Sequence, residues 1–305
     1  MCGRGGLVVA LLLAAEPTRL EADTVTLRPV ADTTLHEESP GNNLGRSVPM
    51  AGTTAHNTRN RALFSFDLSS LPPTAVVSSA TLKFKVVRTP SPSTASNFDV
   101  RRVLRSWAEG TKGSPTVTAN RGALAGANEA TWQARFAPST LWTSPGGAVG
   151  TDFSSTVSAT TRVTGNGTYT FGSTAQLVAD VQAWLTDPAS NFGWVLMTQA
   201  EGTTRTVRRI GGRESTADSP TLELVYSVPT PAQPPTLSQP QKVGDQIRFT
   251  FNAEANRAYT VEASSVLTPT SWQVFLAVPA SGSATTVEVT DTLGQPHRFY
   301  RVRTP

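Results

Sequence analysis

The feature that most constrains this chain is the recurrence of apolar residues at every second position, in short runs cut by turn-forming residues. Phe64, Phe66 and Leu68 share one face, as do Ala80, Leu82, Phe84 and Val86, with Lys83 and Lys85 on the opposite one. Tyr169 with Phe171, then Phe192, Trp194 and Leu196, then Leu222, Leu224 and Tyr226 repeat the pattern. Successive side chains of a strand leave opposite faces of a sheet, so this alternation marks half-buried β-strands. Turn signals separate the runs: Pro40-Gly41-Asn42-Asn43, Leu71-Pro72-Pro73, Pro145-Gly146-Gly147 and the hairpin dipeptide Asn166-Gly167. The expected class is all-β. One segment departs from it. Leu177, Val181, Trp184 and Leu185 form a helical stripe, with Ser173 or Thr174 as cap and Asp187-Pro188 as stop. A single short helix of this kind is expected to close one end of a β-sandwich.

The run VPTPAQPPTLSQPQ, residues 228–241, is too rich in proline for a helix or a central strand and predicts an extended linker. It separates a large domain, 23–227, from a small one, 235–305. In the small domain Ile247, Phe249 and Phe251 alternate, as do Tyr259, Val261 and Ala263, then Trp272, Val274, Leu276 and Val278, then Val287 and Val289. With the closing strand Arg298 to Arg303, about seven short strands predict a fibronectin-type β-sandwich.

At the N-terminus Arg4 precedes the apolar run Leu7 to Ala15. That run is too short for a membrane span, which needs about 20 apolar residues, and fits a secretory signal over residues 1–22. Cleavage after Ala15 and after Ala22 both remain open. The expected location is therefore secreted, extracellular or at a bacterial cell surface. The only cysteine, Cys2, lies inside this segment, so no disulfide framework or Cys-ligated metal is expected. The net charge of +4 is carried mostly by Arg, but no basic run is interleaved with aromatics, which argues against nucleic acid.

The large domain resembles the DNRLRE family, also described as carbohydrate-binding module family 96. The resemblance rests on pieces in the family's order: Asp32-Thr33-Thr34 with Asn43-Leu44-Gly45; Arg61 to Leu68 followed by Ser79-Ala80-Thr81-Leu82; Trp107-Ala108-Glu109-Gly110; Thr131-Trp132; Gly146-Gly147; Val181-Gln182-Ala183-Trp184 with Asn191-Phe192-Gly193; and Gly212-Arg213-Glu214 with Pro220-Thr221-Leu222. It implies a jelly-roll-like β-sandwich, secretion and, in some members, binding of acidic polysaccharide such as alginate. Gly212 stands where a Ser commonly precedes the Arg-Glu pair. The small domain resembles C-terminal sandwich repeats of secreted Verrucomicrobia-type proteins, through Tyr259-Thr260-Val261-Glu262, Thr270-Ser271-Trp272 and Phe299-Tyr300-Arg301-Val302, which implies a spacer or display module.

Candidate chemistry is sparse. His36, His56 and His297 show no metal-ligand spacing and are expected at the surface; no nucleophile elbow or phosphate-cradling loop is present. Glu37, Glu38, Asp67, Asp99, Glu109, Asp152 and Glu214 qualify for two-carboxylate hydrolysis only by being acidic, and Glu109 and Glu214 are better read as structural partners of Arg. The expectation is a protein that is not an enzyme. Structural calcium is the one cofactor to test, with Asp32, Asn42, Asn43 and Asp152 as oxygen ligands. For a polysaccharide, Arg101, Arg105, Arg205, Arg208 and Arg209 are expected to line an anion-binding groove, with Trp132 and Trp142 as stacking platforms. The alternative is a structural or adhesive cell-surface protein without a sugar site.

Overall fold

A computed structural model describes residues 22–113, 121–229, 235–268, 270–292, 294 and 298–304. The expected signal segment up to residue 21, part of the proline-dense run (230–234) and His297 lie outside the described residues. Strands hold 45% of the chain and helix only 6%, which makes the protein an all-β sandwich fold. The chain divides into two compact units at Pro229/Thr230.

In the first unit the longer strands are β1 (Asp23–Leu27), β2 (Pro29–His36), β3 (Met50–Thr53), β4 (Arg59–Phe66), β5 (Val76–Arg88), β6 (Ser96–Arg102), β7 (Ala159–Val163), β8 (Gly167–Phe171), β9 (Trp194–Thr198), β10 (Arg208–Ile210) and β11 (Thr221–Ser227). One sheet is centred on β5, which pairs with β11, β8 and β10; β1 extends it beyond β11. The other runs β2-β4-β9-β6-β7, and every pairing is antiparallel. Short β3 pairs with β10 on one side and with β4 on the other, so it belongs to both sheets.

The alternating residues do what their spacing requires. Phe64, Phe66, Ala80, Leu82, Phe84, Val86, Leu222 and Leu224 form the core between the sheets. Ser78 is the extra residue of a bulge opposite Val225/Tyr226, which sets the phase of Ala80 to Val86. The helix α1 (Ala175–Thr186) is capped by Thr174, whose hydroxyl accepts from Leu177 N–H at 3.0 Å. Its stripe of Leu177, Val181, Trp184 and Leu185 is buried in that core.

Two features differ from expectation. Phe192 does not share the face of Trp194 and Leu196; it precedes β9 and packs into a second core. That second core, with Leu63, Val195, Trp132, Trp142 and Phe153, covers the other face of the β4–β9 sheet. The irregular connection between β6 and β7 supplies its tryptophans, so β9 is buried on both faces along its whole length.

The second unit has six described strands: β12 (Gln241–Val243), β13 (Gln246–Ala253), β14 (Tyr259–Ser264), β15 (Gln273–Val278), β16 (Thr285–Thr292) and β17 (Phe299–Arg303). They form two three-stranded sheets, β12-β13-β16 and β15-β14-β17, around Phe249, Phe251, Tyr259, Val261 and Val289. A single bridge, Leu237 to Phe251, stands in place of the further strand that the sequence pattern predicts. Val274 is exposed rather than inward, because a bulge beside Val261/Glu262 shifts the β14–β15 register. Trp272 stacks on Arg301, whose guanidinium lies 4.4 Å from the ring centroid and donates to Glu262.

Candidate functional site

Four segments that are distant in sequence meet beside the outer edge of β2. Asp32 sits in mid-strand and is fully buried, and its N–H donates to Glu109 Oε1 at 2.8 Å. Glu109 thereby covers a backbone donor of an edge strand that would otherwise lack a partner. Glu109 is held in turn by Arg213, which donates from Nε to Oε1 and from Nη2 to Oε2 at 2.8 Å. Two-point pairing of this kind fixes both planes. The N–H of Arg213 donates to Asp32 Oδ2 at 2.6 Å, and Glu214 Oε1 lies 3.6 Å from the guanidinium.

Asn43 locks the backbone beneath. Its Nδ2 donates to the carbonyls of Glu109 (2.7 Å) and Ala130 (2.8 Å), and its Oδ1 accepts from Gly45 N–H (3.1 Å) and Lys112 N–H (3.0 Å). Gly110 has φ +82°, and a Cβ there would strike the Asn43 amide at 2.4 Å, so this contact needs glycine.

This network is incomplete. Asp32 Oδ1 and Glu214 Oε1 are buried without a hydrogen-bond partner in the protein. Burial raises the Asp32 pKa well above the usual 3.8, and the charges of Glu214 and Glu109 push it the same way against the Arg213 N–H. Next to these groups opens a cleft of about 330 Å3. It is lined by Val48, Val87, Gly211, Gly212, Glu214, Ser215 and Asp218, a mixture of apolar, glycine and acidic or hydroxyl residues. Lys85 Nζ bonds to Asp218 at 2.5 Å.

The arginines expected to share one groove are placed apart. Arg208 is 1% exposed and donates to the carbonyls of Thr206, Val207, Thr94 and Thr164 at 2.7–3.1 Å, so it is a structural core residue and not a ligand contact. Its neighbour Arg209 emerges on the opposite face of β10, as period two demands, half-buried beside Arg88 of β5. Arg101 is engaged by Asp99 and by the carbonyls of Ser154 and Ser155. Arg205 sits in a turn with φ +64°, and Arg105 is exposed. Trp132 and Trp142 are each 4% exposed, so neither offers a stacking face to a sugar. Trp132 is covered by Arg59 and Arg61, 5.3 and 5.7 Å from its ring, and Trp142 donates to Thr131 O at 2.9 Å.

The four residues expected to hold calcium do not assemble a site. The Asn43 amide is saturated, and Asn42 Nδ2 donates to Arg121 O at 2.8 Å. Asp152 spends its carboxylate on Thr143 and Ala148 within its own loop and shares no partner with Asp32. Among the described residues no group of three or more His, Cys, Asp or Glu is arranged to hold a metal ion. His36 is a further correction: it is buried in β2, its Nδ1 accepts from Ser39 N–H at 3.1 Å, and burial lowers its pKa.

Asp32 is among the candidates that the sequence offers for a site; the roles of Gly212, Ser215, Asp218, Val48 and Val87 are not readable from it. The paired Gly211-Gly212 before Arg213-Glu214 is the one available signal, and its meaning depends on which strand lies opposite. Compared with models of known protein families and with curated proteins, the chain matches none. Fold and site thus define the class by themselves: an all-β sandwich protein with an acid-sided cleft at the edge of its larger unit. No helix among the described residues is long and apolar enough to cross a membrane.

Proposed function

We propose that the chain is an exported, non-catalytic carbohydrate-binding protein, and that the cleft beside Glu214 is where a polysaccharide docks. The observation that carries this reading is the cleft's lining, which combines two carboxylates and a hydroxyl with two valines and two glycines. Sugars present hydroxyls at their edges and C–H groups on their faces, and mixed polar and apolar concave surfaces bind such ligands. The charged lining side chains are Glu214 and Asp218, while the candidate arginines are buried, paired or scattered. This favours a neutral, hydroxyl-rich glycan over the polyuronate that the family resemblance implies.

The competing reading is a structural or adhesive surface protein, in which Glu109, Arg213 and Asn43 serve only one another; their mutual hydrogen bonds favour it. Affinity electrophoresis against alginate, pectin and neutral glucans separates the two. Retardation by a neutral glucan without loss of chain length supports the first, whereas equal, unretarded mobility in every gel supports the second. Release of shortened chains would point to a hydrolase or lyase and overturn both.

A further inference from the structure

We infer that Asn166 is a site of spontaneous covalent change: its side-chain amide condenses with the backbone nitrogen of Gly167 to a succinimide, which water opens to aspartate and isoaspartate. This stands whether or not the chain binds a glycan. Thr164, Gly165 and Asn166 carry the chain from β7, which pairs with β6, to β8, which pairs with β5, so they cross from one sheet to the other. Asn166 is exposed, and among the described residues nothing hydrogen-bonds to its side-chain amide. Gly167 has φ +140°, a conformation that favours glycine, and a Cβ there would meet no atom within 4 Å. The amide carbon of Asn166 is thus unrestrained, and no side chain on the following residue screens it. Asparagine is a thermolabile residue type in any protein, and here the hairpin dipeptide leaves one of them unguarded.

The step balances with water alone. Gly167 N loses its proton to hydroxide and attacks Cγ of Asn166. The N–Cγ bond forms, the Cγ–Nδ2 bond breaks, and Nδ2 leaves as ammonia with a proton taken from water. Water then adds to one carbonyl of the ring. Opening on one side gives aspartate; opening on the other gives isoaspartate, whose main chain runs through Cγ and is longer by one methylene. The flanks leave little slack for that length. On one side the Tyr169 hydroxyl accepts from the N–H groups of Thr164 (3.1 Å) and Gly165 (2.9 Å) and donates to Gly165 O (3.0 Å), while Arg208 donates to Thr164 O (3.1 Å). On the other side Gly167 is held by its pairing with Val86 of β5. The extra methylene falls between these anchors, and the Tyr169 hydroxyl is the one that can yield without breaking the β5–β8 ladder. Conversion therefore loosens the connection between the sheets and adds one negative charge to it.

The test ages the full chain at mildly alkaline pH and body temperature, with a sample in concentrated urea to show that the assay responds. Each asparagine-containing peptide is followed by mass spectrometry after proteolysis. In the folded chain the Asn166 peptide is expected to gain the mass difference between an amide and a carboxyl group and to split into two chromatographic forms, at a rate that rises with hydroxide. An isoaspartate-specific methyltransferase is expected to label it. Asn166→Ser alters an exposed residue whose φ is not positive, so the fold is retained, and both the mass gain and the label at this peptide are expected to vanish. Amide exchange at Thr164 and Gly165 is expected to be about fivefold faster in the isoaspartate form, the factor that corresponds to losing one ordinary hydrogen bond. An Asn166 that stays intact in the folded chain, whatever happens in urea, overturns the assignment. So does a label that persists undiminished in Asn166→Ser. Conversion with unchanged exchange at Thr164 and Gly165 overturns the loosening.

Discussion

Two arginine–glutamate pairs in the larger unit differ in how completely their surroundings are finished. Arg61 donates to both oxygens of Glu201 at 2.7 Å and to the carbonyls of Gly146 and Gly147 at 2.9 and 2.6 Å, beneath the ring of Trp132. Arg213 grips Glu109 in the same two-point manner and also follows a glycine pair, Gly211-Gly212, but two further carboxyls crowd it and each keeps an unpartnered oxygen. The closed pair spends four of the five guanidinium N–H groups inside the protein. The open pair has buried acceptors to spare, and Glu214 beside it lines a cleft. What marks a candidate site here is therefore the hydrogen bonds left unmade, not the types of residue gathered.

The largest test of this contrast is Arg61→Met. It strands a mostly buried carboxylate and two glycine carbonyls, and is expected to lower the unfolding free energy by about 3–5 kcal/mol in a urea titration. A loss below about 1 kcal/mol would mean that the closed pair is no more structural than the open one. Trp132→Ala removes the lid over Arg61 and should cost about 3 kcal/mol through the void left in the second core, measured in the same way.

Asp32→Asn sharpens the comparison through pH. The folded pKa of Asp32 lies above its ordinary value of 3.8, so just above that value the folded chain binds more protons than the unfolded one, and stability falls as pH rises through the window up to the folded value. The substituted amide keeps an oxygen for the Arg213 N–H but cannot ionise. The decline of melting temperature from about pH 4 upward should therefore be shallower in the variant than in the wild type. Identical slopes would show that Asp32 is not the group responsible. The smallest effect is expected for Lys85→Ala: this ion pair with Asp218 is exposed, and its loss should change stability by less than about 0.5 kcal/mol.

Much of the fold was legible because burial in a sheet repeats every second residue. Phe64 and Phe66, Ala80 to Val86, and Leu222 with Leu224 all fall on the core side, and the helix stripe from Leu177 to Leu185 is buried as its spacing requires. The second core was not legible, since Trp132, Trp142 and Phe153 lie on irregular backbone that has no period to betray an inward face. Arg208 and Arg209 show the cost of reading charge without phase: adjacent on one strand, they face opposite ways. The cleft was hidden for another reason. Asp32 receives from Arg213 across 181 positions and donates to Glu109 across 77, distances over which only strand order brings groups together.

The four residues of β3 carry a consequence for how the larger unit comes apart. Because they are stitched to β10 along one margin and β4 along the other, the two layers share a seam, and loosening either one frays the other. Gly52, at φ +106°, makes that seam passable: any side chain there would meet the Thr206 carbonyl at 2.6 Å. Melting of this unit should accordingly be all-or-none, and a single methyl group added at position 52 should act like a zip forced open at its lowest tooth.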